Sequence, residues 1–152
     1  MDLHKYFSRQ ELLKGRDVLY PLSEEQEDNL VKLLTAINPI REAWGRPMSV
    51  SSCYRPAAIN AKVAGAAKAS AHMMCQAVDI VDKDGSLADW SLQNLTLLEK
   101  HGIFLEDPRY TYIIDGEGNR IDGWCHYDIR GPKSGKRVFI PYAGSIKLQV
   151  RD

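Results

Sequence analysis

The sequence predicts a fold that mixes α and β structure, and three observations carry that prediction. Leu30, Leu33, Leu34, Ile37, Ile40 and Trp44 recur at three- and four-residue steps, the apolar stripe of a long amphipathic helix. Ala77–Val81 is a compact run rich in β-branched residues and reads as a buried, central strand. Two extended stretches, 110–114 and 120–129, flank Asp115-Gly116-Glu117-Gly118-Asn119, a strong hairpin turn.

The remaining elements follow from local chemistry. Ser8 and Glu11 carry a capping-box signature that opens a short helix stopping near Gly15. Ser23 and Gln26 repeat it ahead of the long helix, which Gly45 and Pro47 end. Met48, Val50 and Ser52 alternate with Ser49, Ser51 and Cys53, the pattern of a strand with one buried face. Pro56 suits a first helical turn, so a helix is expected over 57–63, closed by Gly65. Residues 65–70 have almost no bulky side chain and should form a loop open to an approaching substrate backbone. Gly85, Ser86 and Asp89 open another helix, with Leu87, Trp90, Leu92, Leu95, Leu97 and Leu98 on its core face and Gly102 as its stop. Residues 103–107 are extended and carry Glu106, while 137–140 and 146–150 offer edge strands separated by Pro141 and Gly144.

Composition narrows the function classes. A chain of 152 residues, 44% apolar and 26% charged, is expected to form a single soluble domain. Twenty basic residues balance twenty acidic ones, so no global field favours nucleic acid or a membrane surface. The N-terminal residues carry charges throughout and no apolar core, so neither a secretory signal nor membrane insertion is expected, and the chain should be cytoplasmic as synthesised. Three cysteines, an odd number, argue against a disulfide framework.

The chemistry concentrates between Ser49 and Ile80. His72 and Asp79 lie seven residues apart across a segment that ends in a strand, so no single helical face holds both; a loop-to-strand turn has to bring them together. An aspartate inside an apolar run needs a cation or hydrogen-bond donors to stay charged. A third partner is available in His126, within Gly-Trp-Cys-His-Tyr-Asp. Two histidines and one carboxylate form a recognised zinc ligand set that leaves a position open for water. His4 and His101 read as a surface residue and a helix-end residue. The cysteines supply a rival arrangement, because His72 with Cys75 and Cys125 with His126 suit a closed structural zinc site. A Cys75–His126 thiol pair is a third arrangement, and small buried cysteines are the ordinary case.

Ser52, Tyr54, Arg55, Ser70, His72, Ala77, Asp79, Ile80, Trp124 and His126 together resemble the motif set of the M15-type zinc peptidases of peptidoglycan. That group comprises D-alanyl-D-alanine carboxypeptidases and L-alanyl-D-glutamate endopeptidases, phage endolysins among them. Cys75 departs from the pattern, standing where the group usually has glycine. The resemblance implies an α+β fold: an antiparallel sheet of four or more strands, helices packed on one side, and a zinc cleft. It implies zinc as cofactor, held by His72, Asp79 and His126. Arg55 would act on the substrate carboxylate or the developing oxyanion, with Ser70 and Trp124 also binding substrate. The partner would be the peptidoglycan stem peptide, reached after holin-dependent release; the alternative is a non-catalytic structural-zinc module of a phage or cell-wall assembly. In some relatives a carboxylate three residues before the last histidine serves as general base, but Gly123 stands there. Glu106 is then the expected base, followed by Asp107 and Asp122.

Overall fold

A computed structural model describes residues 2–63, 66 and 68–141. The expected helix stop at Gly65 and the strand over 146–150 lie outside these residues. Five helices are described: α1 (Arg9–Leu13), α2 (Glu24–Trp44), α3 (Ala57–Asn60), α4 (Ser86–Leu92) and α5 (Leu95–Lys100). The strands are β1 (Val50–Ser52), β2 (Ala77–Val81), β3 (Phe104–Glu106), β4 (Tyr112–Ile114), β5 (Arg120–Asp128) and β6 (Val138–Phe139).

The fold is α+β, with a six-stranded sheet in the order β1-β2-β5-β3-β6 and β4 added alongside β5. Neighbours pair antiparallel except β3 and β6, which run parallel and make the sheet mixed. Strand alternation divides its residues between two environments. Val78, Ile80, Leu105, Cys125 and Tyr127 are buried in one core with Phe7, Leu12, Leu13, Leu33, Leu34, Ile37 and Ile40 from the helical region. Their neighbours in sequence, Asp79, Glu106, His126 and Asp128, therefore occupy the opposite face.

Helix α2 begins with a complete capping box: Ser23 Oγ accepts from the Gln26 amide (3.1 Å) and Gln26 Oε1 accepts from the Ser23 amide (2.8 Å). Its polar side chains also reach outward, since Gln26 Nε2 donates to the Met73 carbonyl (2.9 Å) and Asn29 Nδ2 to the Met74 carbonyl (3.0 Å). The long helix thereby clamps the 3-10 turn Ala71–Met74.

Several elements differ from expectation for local reasons. Helix α3 ends at Asn60 because the chain tightens, Lys62 donating to Ile59 and Val63 to Asn60 in three-residue steps. The helix expected from Gly85 to Gly102 is two helices. Asn94 breaks it, its side-chain amide occupying the Trp90 carbonyl (2.8 Å) while its backbone amide turns to Ser91. Tyr110 belongs to a 3-10 turn, Pro108–Tyr110, that Asp107 caps, so β4 starts at Tyr112. Alternation in β1 fails after Val50 because the register shifts there, and Cys53 is buried with Val50.

Helix α4 is capped from outside its own turn. The carboxylate of Asp82, 4% exposed, accepts from the amides of Leu87 and Ala88, both at 2.9 Å. Replacing Asp82 with alanine leaves two buried helix-end donors unanswered. The expected loss is about 1–3 kcal/mol, read as a lower urea midpoint at unchanged slope.

Candidate metal centre

His72 is oriented by two segments. Ser70 caps the turn that carries it, its Oγ accepting from the His72 amide at 3.2 Å. The chain leaving β1 grips it from the other side: His72 Nδ1 donates to the Cys53 carbonyl (2.8 Å), and the Arg55 amide donates to the His72 carbonyl (3.1 Å). With Nδ1 engaged as donor, Nε2 is the nitrogen available to a metal ion. It faces Asp79 Oδ2 at 3.1 Å.

Asp79 stands at the middle of β2, directly opposite His126 on β5. Its Oδ1 lies 2.8 Å from His126 Nδ1, so one carboxylate bridges both imidazoles. One ligand atom from each of His72, Asp79 and His126 falls within 4.8 Å of the others. The two imidazoles meet edge to face, with centroids 5.3 Å apart. The second nitrogen of His126, Nε2, meets Asp128 Oδ2 at 2.9 Å. Side-chain exposure is 2% for His72, 13% for Asp79, 12% for His126 and 5% for Asp128, so water screens these charges weakly.

The electrostatics follow from that burial. Desolvation opposes charge on Asp79, but the two histidines outweigh it and hold the carboxyl well below its usual range. Burial lowers the pKa of His72 despite Asp79 beside it. Burial acts the same way on His126, yet bonds to Asp128 and Asp79 overcome it and raise its pKa well above the ordinary value. Both His126 nitrogens face carboxylate oxygens, an arrangement that favours the protonated ring.

Arg55 is brought alongside. Its Nη2 donates to Ser70 Oγ (3.2 Å), which makes Ser70 a joint between the guanidinium and the His72 turn. Its Nε is buried with no hydrogen-bond acceptor among the described residues. Burial lowers the Arg55 pKa, with Asp79 and Glu106 acting against that shift. Glu106 follows Leu105, which pairs with Tyr127, so the register carries Glu106 level with His126. Its charge acts on both Arg55 and His126. Asp107 is held instead by Arg109, through the backbone amide (2.9 Å) and a guanidinium bond of 2.8 Å. Asp122 is exposed and lies four residues along β5 from His126, about 13 Å of strand. Trp124 is half-buried opposite Val81, two residues from His126 on the same face.

Gly123 leaves no room for a base at its position. A Cβ there would lie 2.5 Å from the Asp82 carbonyl oxygen and 2.7 Å from the Arg120 guanidinium, below any ordinary contact. The cysteines stay outside the cluster. Cys125 neighbours His126, but alternation turns its side chain into the core, 3.9 Å from Ser91 Oγ. Cys53 and Cys75 are buried free thiols, and burial pushes the Cys75 pKa up to about 12, far from a ready nucleophile. Cys75 adopts the left-handed conformation (φ 59°) at the end of the His72 turn, where glycine would be unstrained.

The residues fit zinc. Three donors of accepted type converge, each imidazole has a second bond that orients it, and one carboxylate leaves the ion a net positive charge. Two residues beside the cluster were given no role by the sequence. Asp128 shares a face with His126 by strand spacing alone, a signal that was available, whereas the ring of Phe139, 5.9 Å from His126, arrives through the parallel strand β6 and carried none.

Compared with family models, residues 5–103 match the family described as Peptidase M15. The match includes Arg55, Ser70, His72 and Asp79 and stops before Glu106 and His126. No curated protein and no solved structure matches the chain.

Zinc held by His72, Asp79 and His126 would displace a proton from His126, whose pKa is raised. The expected result is release of about one proton per ion near pH 7, with affinity rising as pH rises. Titration calorimetry in buffers of different ionisation enthalpy measures it; binding without proton release would mean that His126 is neutral before the ion arrives.

Proposed function

The chain belongs to the peptidase M15 family, and from that premise we propose that it is a zinc metallopeptidase of bacterial peptidoglycan. It hydrolyses an amide bond in the stem peptide, as a D,D-carboxypeptidase or an L-alanyl-D-glutamate endopeptidase. Its setting is phage or prophage lysis, with access to the wall through holin-dependent release. The observation that supports this reading most directly is the convergence of His72, Asp79 and His126 beside Arg55.

Bound zinc supplies a Lewis acid and a water of lowered pKa. The chain's own residues supply the rest. Glu106, level with His126 across β3 and β5, takes a proton from the attacking water and returns it to the nitrogen leaving as the C–N bond breaks. Arg55 receives the substrate carboxylate or the oxyanion, and its buried Nε, which has no acceptor among the described residues, suits that task. Ser70 keeps the guanidinium in register with His72. Trp124 offers an apolar wall to the peptide beside the Asp79–His126 pair.

Two variants separate binding from chemistry. Asp79→Ala is expected to lose zinc and hydrolysis together, so retained hydrolysis of purified peptidoglycan by that variant would sink the assignment. Glu106→Gln should keep its zinc and lose about 10²–10⁴-fold in kcat. Mass spectrometry of the released fragments then reads which amide is cut: free D-alanine indicates the carboxypeptidase, and cleavage after L-alanine the endopeptidase.

A further inference from the structure

A histidine that binds a metal through one nitrogen is orientated by what its other nitrogen meets. For His126 that second contact is a carboxylate carried on its own strand. Asp128, two residues on along β5 and so on the same face, sets Oδ2 2.9 Å from His126 Nε2. Asp128 is itself fixed, because it is 4% exposed and its Oδ1 accepts from the Gly131 amide at 2.8 Å. The turn that delivers this amide admits only glycine: Gly131 has φ +76°, and a Cβ there would lie 2.7 Å from the Phe104 ring. The Phe139 ring also meets the imidazole in a T-shaped contact, with centroids 5.9 Å apart. Nδ1 is left pointing at Asp79 Oδ1, 2.8 Å away.

We propose that Asp128 is a positioning residue that holds His126 with Nδ1 toward the metal, so that the two histidines bind the same ion through different nitrogens. His72 presents Nε2, since its Nδ1 is bound to the Cys53 carbonyl. His126 presents Nδ1, since its Nε2 is bound to Asp128. The inference rests on the zinc reading above and adds a residue that lies outside the segment matched to the family.

The test starts with zinc titrated into the wild-type protein. Long-range ¹H–¹⁵N spectra of the histidine rings are expected to show His72 coordinated through Nε2 and His126 through Nδ1. Zinc affinity, measured by competition with a chromophoric chelator, is expected to fall about 10–100-fold in Asp128→Asn, with the His126 ring signals broadened or moved. Coordination of His126 through Nε2, or an Asp128→Asn protein that keeps wild-type affinity and spectra, would overturn the proposal while leaving the metal centre standing. Failure of the wild-type protein to take up zinc would overturn the metal reading itself and this proposal with it. Should Asp128→Asn not fold, the nitrogen assignment in the wild type decides the question without it.

Discussion

The structure depends on keeping one carboxylate ionised inside a sheet. Asp79 sits at the centre of β2, where desolvation alone would neutralise it, and two imidazoles at 2.8 and 3.1 Å hold the charge in place. Each imidazole is anchored in turn, His72 to the Cys53 carbonyl and His126 to Asp128. Removing any member of such a buried set strands the others, because in a low-dielectric site an unpaired charge is far costlier than a paired one is stabilising. The cluster is therefore a structural commitment as much as a chemical one.

Around it, the sheet separates two tasks that strand periodicity makes compatible. Val78 and Ile80 of β2 and Cys125 and Tyr127 of β5 enter an apolar core with α1 and α2, and Asp79 and His126 between them carry the donors. A rigid core behind the cluster is what lets three side chains from separate segments hold fixed positions. The same periodicity explains why Cys125, next to His126 in sequence, takes no part in the site. Cys125 and His126 share a peptide bond and face opposite sides.

Much of this was legible in the sequence. The capping box at Ser23, the apolar stripe of α2, the strand Ala77–Val81 and the turn after Ile114 are local signals, and the chain follows them. The three residues that converge were also legible, since Asp79 in an apolar run demands a partner. What stayed hidden depends on pairs made by the fold. Asp82 caps a helix five and six residues ahead, the Asn94 break depends on which acceptor its side chain chooses, and the shifted register of β1 is a property of its pairing with β2. The parallel union of β3 with β6 has no local signature at all.

Asp79 and His126 are separated by 47 residues of chain, and Glu106 and Phe139 also follow the segment in which the family is recognised. During vectorial synthesis His72 and Asp79 leave the ribosome well before the strand that completes their site. Contacts this distant in sequence form late, because the intervening loop must first be closed against chain entropy. The nascent polypeptide accordingly holds a half-built centre with only one imidazole beside its carboxylate. Completion of the cluster therefore waits on the pairing of β5 with β2.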